Sequence, residues 1–122
     1  MTTTLILEAT AGDLQGRQFR FTQPSYCVLG RSRSCTLRLP GDATVSRQHC
    51  LLELDADGAW VQDLGSLNGT FVNGTRIGQP EARRDGDTTI EQPERRGLRD
   101  GDLLRICANV FAVRVIAAVR WR

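Results

Sequence analysis

Turn chemistry recurs along this chain roughly every 8–12 residues, and that spacing leaves little room for anything but short strands. Ala11-Gly12-Asp13-Leu14-Gln15-Gly16, Pro40-Gly41-Asp42, Asp55-Ala56-Asp57-Gly58 and Asp100-Gly101-Asp102 are rich in the residues that close tight turns. Two Asn-Gly pairs, Asn68-Gly69 and Asn73-Gly74, are hairpin signals because both residue types tolerate positive φ. The segments between alternate apolar and polar, as in Arg17–Phe21 and Thr36–Leu39, or form short apolar runs. The reading places strands at Thr3–Thr10, Arg17–Phe21, Tyr26–Leu29, Thr36–Leu39, Gln48–Leu54, Ala59–Leu64, Thr70–Val72, Thr75–Ile77, Leu103–Cys107 and Val110–Val119. No stretch sustains a period of 3.6, so an all-β sandwich or barrel is expected. Residues 78–97 break the pattern with two Pro and mixed charge. They read as a long inserted surface loop, with a small hairpin around Thr88-Thr89-Ile90.

At 122 residues the chain is expected to form one domain, 1–122, with a core large enough to need no staples. A net charge of +2 argues against a general nucleic-acid or membrane-surface binder. The basic residues are all Arg, the better residue for forked contacts to phosphate. Cys27, Cys35, Cys50 and Cys107 are widely spaced, with no C-x-x-C, so neither a metal site nor a cofactor is expected. Cys27, Cys50 and Cys107 sit in apolar runs and read as small buried hydrophobes. The first residues lack a basic region and a long apolar run, and no segment reaches the length of a membrane span. A reduced, cytoplasmic, stand-alone protein is the expectation.

The polar residues concentrate between Gly30 and Gly74. Arg31 follows the Gly that ends a strand, Ser46 precedes the next long strand, and Asn68 sits in a turn. Strand ends of a sandwich cluster at its edges. A guanidinium fork, a hydroxyl and loop N–H groups brought together there would suit a phosphate. An Asn amide can pair with both polar groups of a peptide backbone. Spacing alone does not prove that the three loops meet.

Leu29-Gly30-Arg31-Ser32, Val45-Ser46-Arg47-Gln48-His49-Cys50 and Asp63-Leu64-Gly65-Ser66-Leu67-Asn68-Gly69-Thr70-Phe71-Val72-Asn73-Gly74 together resemble the forkhead-associated (FHA) domain family. Leu98-Arg99-Asp100-Gly101-Asp102-Leu103-Leu104-Arg105-Ile106 resembles the family's late turn and strand. The resemblance runs from the first strand to the last. It implies an eleven-stranded β-sandwich that reads phosphothreonine peptides through loops at one end. Carried over by position, Arg31 would contact the phosphate and Ser46 would hydrogen-bond it, with Arg47 a candidate second basic contact. Asn68 would hold the peptide main chain. Gly30, His49, Gly69, Asn73 and Gly74 would support the loops. Leu67 departs from the pattern, standing where a hydroxyl residue often precedes the Asn, which puts one further polar contact in question.

The resemblance implies a non-catalytic adaptor in Ser/Thr-kinase signalling. Its partner would be a phosphothreonine-containing protein, a kinase or its substrate; the all-Arg composition and small size fit a bacterial protein. The rival is a phospho-independent scaffold that docks a partner through a sheet face or the 78–97 loop. Ser46, His49 and Asp63 include the residue types of a hydrolase triad, but Gly-x-Ser-x-Gly is absent and the order fits no nucleophile elbow. Few aromatics interleave with the Arg residues, which argues against nucleic acid. Trp60 is expected to pack within its strand, and Trp121 to lie in a tail.

Overall fold

The computed structural model describes residues 3–22, 24–78 and 95–117. Thr88–Ile90, most of the 78–97 loop, Trp121 and the end of the last expected strand lie outside them. Eleven strands form two sheets. They are β1 (Thr3–Ala11), β2 (Gln18–Phe21), β3 (Ser25–Gly30), β4 (Leu37–Arg38), β5 (Cys50–Asp55), β6 (Gly58–Asp63), β7 (Thr70–Val72), β8 (Thr75–Ile77), β9 (Arg96–Leu98), β10 (Leu103–Ile106) and β11 (Asn109–Ala117). One sheet has the order β2-β1-β11-β10-β7-β8, the other β4-β3-β5-β6-β9. All pairings are antiparallel except β3 with β4, which run parallel over two residues. The architecture is an all-β sandwich. Among the described residues there is no helix, and hence none long and apolar enough to cross a membrane.

Alternation sets the two faces. In β5, Cys50, Leu52 and Leu54 are buried while Leu51, Glu53 and Asp55 face outward; β6 buries Ala59, Val61 and Asp63. The second sheet contributes Leu5, Leu7, Val72, Leu104, Ile106, Phe111 and Val113 to the same core. Trp60 is on the outer face, half-buried, with the Arg95 guanidinium 4.4 Å from its ring centroid. Arg95 also pairs with Glu53 at 2.9 Å.

Several boundaries depart from the sequence reading, each for a physical reason. Arg96 and Gly97, read as loop, belong to β9, which lacks alternation because its backbone pairing with β6 holds it. Gln48 and His49 precede β5 instead of opening it. His49 and Cys50 are both buried, so the alternation a strand requires begins only at Cys50. Cys107 is not in β10; it is half-exposed at φ 54° in the two-residue turn joining β10 to β11.

Cys27 and Cys50 are buried in the core as free thiols. Burial pushes the Cys27 thiol up to about 11, and raises that of the completely buried Cys50 further above the ordinary 9.0. The unfolded chain therefore loses these protons first, and stability must fall as pH rises above the ordinary thiol range. At pH 10 Cys50 alone should lower stability by about 1 kcal/mol relative to pH 8. Denaturant titrations at the two pH values check this. In Cys50→Ala the pH-dependent loss should shrink by about that amount.

Candidate functional site

One end of the sandwich collects the loops after β1, β3, β4, β6 and β10. The loop from Leu39 to His49 lies among three of them, and its backbone is the hub of the site. From one side, the Arg31 backbone N–H donates to the Ser46 carbonyl at 3.0 Å and the Ser32 N–H to the Arg47 carbonyl at 3.0 Å. The Arg31 Nε–H donates to the Val45 carbonyl at 3.1 Å. From the other side, Asn68 Nδ2 donates to the Thr44 carbonyl at 2.7 Å and the Leu67 backbone N–H to Ser46 Oγ at 3.2 Å. Arg31, Ser46 and Asn68 are thereby brought to one short stretch of chain.

These bonds leave the useful groups free. Fixing Nε orients the Arg31 guanidinium, and among the described residues its two Nη groups have no hydrogen-bond partner. Ser46 Oγ accepts from Leu67, so its own hydrogen remains to be donated. Asn68 is exposed and uses one N–H, which leaves its carbonyl oxygen and its second N–H for a peptide backbone. The Arg47 side chain is exposed, while its carbonyl also accepts from Cys35 Sγ at 3.0 Å. Arg33 is exposed on the neighbouring loop, so the surface is cationic. Leu67 is 82% exposed beside Asn68, an apolar group where a hydroxyl could have added a donor.

Below this surface the support is buried. Gly30 cannot carry a side chain, because a Cβ there would lie 2.3 Å from the Arg47 carbonyl oxygen and 3.0 Å from Cys35 Sγ. His49 is fully buried. Its Nδ1 accepts from the Ser46 backbone N–H at 3.1 Å, and its Nε2 is 2.8 Å from the Gly69 carbonyl. An N–H can only donate and a carbonyl can only accept, so the ring is neutral with its proton on Nε2. Both nitrogens are occupied by backbone, neither by Ser46 Oγ nor by Asp63. The three residue types of a hydrolase triad therefore form no relay.

The residues that sequence reasoning passed over are those that fix the β6–β7 loop. Asp63 Oδ2 accepts from the backbone N–H groups of Gly65 and Ser66, and Oδ1 from the hydroxyls of Ser66 and Thr70. Ser66 Oγ in turn accepts from the Gly69 N–H. The available signal was the Asp63-x-x-Ser66 spacing, since Asp in a turn bonds the backbone just ahead of it. Asp42 does the same for the central loop, accepting from both the N–H and the hydroxyl of Thr44 and from the Ala108 N–H. The bonds from the Thr44 hydroxyl and N–H hold its carboxyl below the usual range. Cys107 Sγ adds a contact to the Thr44 carbonyl at 3.3 Å.

Asn73 and Gly74 do not join this cluster. They form the turn at the opposite end of β7, at φ 51° and 81°. There Asn73 bonds Asp102 through Nδ2 and the Leu103 N–H through Oδ1, beside a cleft of about 490 Å³ lined also by Arg96, Gly97 and Arg99.

Comparison with known proteins finds a match to the FHA domain family over residues 27–91, more than half of the chain. The proliferation marker protein Ki-67 of Mus musculus is 38% identical over 63 residues, covering 52% of this chain but 2% of that protein. FhaA of Mycobacterium tuberculosis is an FHA domain-containing protein 30% identical over 103 residues, covering 84% of this chain and 16% of FhaA. The chain thus spans a small fraction of these relatives. Among solved structures, the FhaA FHA domain complexed with the intracellular domain of Rv3910 is 30% identical, with a TM-score of 0.64 over 92% of this chain and 99% of that one. An FHA domain from a study of phosphothreonine-dependent FHA interactions is 29% identical, with a TM-score of 0.66 over 93% and 96%.

Proposed function

The chain belongs to the FHA domain family, and from that premise we propose that it is a non-catalytic module that binds phosphothreonine peptides through Arg31, Ser46, Arg47 and Asn68. One observation carries the reading. The Thr44–Ser46 stretch is bonded through its carbonyls to Arg31 on one side and Asn68 on the other, and through the Ser46 hydroxyl oxygen to the Leu67 N–H, while the donors a phosphate needs stay unpaired among the described residues. The phosphate would take the Arg31 fork and the Ser46 hydroxyl, with Arg47 adding charge. The Asn68 amide would hold the peptide main chain beside the phosphothreonine. The similar FHA domains of known structure, one in complex with an intracellular domain and one from work on phosphothreonine-dependent interactions, support this assignment. The partner is a phosphothreonine-containing protein in Ser/Thr-kinase signalling. Four free cysteines fit a reducing compartment such as the cytoplasm.

Hydrogen bonds to a charged group contribute about 1.5–3 kcal/mol each. Three or four give a gross ~5–12 kcal/mol before the costs of ordering and association, a scale that suits a micromolar and not a nanomolar complex. The test is titration of a phosphothreonine peptide library and its unphosphorylated twin. Micromolar binding is expected for a subset of phosphopeptides, and none at 100-fold higher concentration of the twins. Equal affinity for both sets would defeat the proposal. A partner recovered equally before and after phosphatase treatment would favour a phospho-independent scaffold instead.

A further inference from the structure

We infer that Arg76 forms a second anion-reading position, taking an acidic or phosphorylated side chain that lies on the Asn68 side of the phosphothreonine. This rests on the binding mode proposed above and adds a specificity determinant to it.

Arg76 is on β8, directly across from Phe71 on β7. Its guanidinium does not extend away from the sheet alone; it lies across the loop that carries Asn68. A Cβ on Gly69 would be 2.6 Å from Arg76 Nε and 3.0 Å from Cζ. The φ of 89° favours glycine at position 69, and the bare Cα there leaves room for this side chain to pass over it. The result is an exposed cation next to the residue proposed to hold the peptide main chain. Among the described residues Arg76 makes no side-chain hydrogen bond or ion pair. Asp63, at the foot of the Asn68 loop, is buried and directs both oxygens to Gly65, Ser66 and Thr70, and it forms no ion pair with Arg76. The adjacent strand adds positive charge: Arg105 pairs with Phe71 across the sheet, its guanidinium 4.2 Å from the ring centroid.

Arg31 and Asn68 meet the Thr44–Ser46 stretch from its two sides, and Arg76 lies over Gly69, the residue after Asn68. A peptide whose phosphate sits at Arg31 and whose backbone crosses Asn68 would bring a neighbouring side chain to the Arg76 fork. An anion is the chemistry that fork accepts. Because the site is exposed, the gain belongs to the range of surface ion pairs and is sensitive to salt.

The experiment scans Glu, and separately phosphoserine, through each position flanking the phosphothreonine in an otherwise alanine-substituted binding peptide. At one position Glu should tighten binding to the natural chain about 3- to 5-fold. Phosphoserine there should tighten it further, and both gains should fall away in high salt. Arg76→Gln keeps most of the stem and removes the charge. It should erase both gains while the parent phosphopeptide binds within about 2-fold of normal. If no position responds in the natural chain, or the gain persists in Arg76→Gln, the inference is overturned. Equal weakening of every peptide by Arg76→Gln would assign Arg76 to loop support and also overturn it. If the parent phosphopeptide binds no better than its unphosphorylated twin, the phosphothreonine reading itself fails and this inference with it.

Discussion

Arg31→Ala is expected to weaken phosphothreonine-peptide binding by about 100-fold or more and to cost the fold only about 1 kcal/mol. The two numbers come from different parts of one side chain. The Nε–H bonds the Val45 carbonyl, a neutral acceptor at a half-exposed position, so its loss is that of one ordinary hydrogen bond. The Nη groups are the proposed phosphate fork. Two charge-assisted bonds contribute about 3–6 kcal/mol together, enough for a 100-fold effect even after discount for solvent. Arg31→Lys separates charge from geometry: it retains the cation but cannot bond Val45 and fork a phosphate at once. We expect Lys to recover less than a tenth of the natural affinity. Calorimetric titration checks the binding and thermal unfolding the fold. If Arg31→Ala binds as tightly as the natural chain, the phosphate is not at this position.

The sandwich was readable because turn residues recur between short segments that alternate, as in Arg17–Phe21 and Thr36–Leu39, or run apolar. Strand β9 was missed because Arg96-Gly97-Leu98 neither alternates nor forms an apolar run, and backbone pairing with β6 holds it. Cys107 shows the same limit, since a Cys-Ala turn carries no Gly, Pro or Asn to announce it.

In the site, Arg31, Ser46 and Asn68 could be picked out because their chemistry suits a phosphopeptide. That their loops meet on Thr44–Ser46 depends on sheet order and register, which spacing does not reveal. Asp63 was visible only as a triad residue type, although four hydrogen bonds make it the anchor of the β6–β7 loop. Asn73-Gly74 repeats the Asn68-Gly69 dipeptide yet lies at the other end of β7. A strand of three residues is enough to separate two identical turn signals, so that only one of them reaches the site. Arg76 was unremarkable in sequence, because its approach to Gly69 exists only once β8 is folded back on β7.

His49→Ala should have the largest effect on stability, about 3–5 kcal/mol, and should lower the melting temperature by more than about 10 °C. The ring is fully buried, and its removal orphans the Ser46 N–H and the Gly69 carbonyl together while opening a cavity. Each orphan costs about 1–3 kcal/mol. Half-replacements can apportion them. His49→Asn places an oxygen near Nδ1 and can accept from Ser46; His49→Gln places a nitrogen near Nε2 and can donate to Gly69. Each should regain about 1–2 kcal/mol over Ala. The same bonds hold Ser46 and the residue after Asn68, so the folded variant should also bind phosphopeptide about 10-fold more weakly, measured well below its melting point. A ring that merely filled the core would lower the melting temperature and leave that affinity unchanged. Recovery by neither Asn nor Gln would mean that the cavity, and not the two bonds, dominates. Asn restoring more affinity than Gln would place the functional load on Ser46, because the Nδ1 bond is the one that fixes the backbone from which its hydroxyl reaches the phosphate.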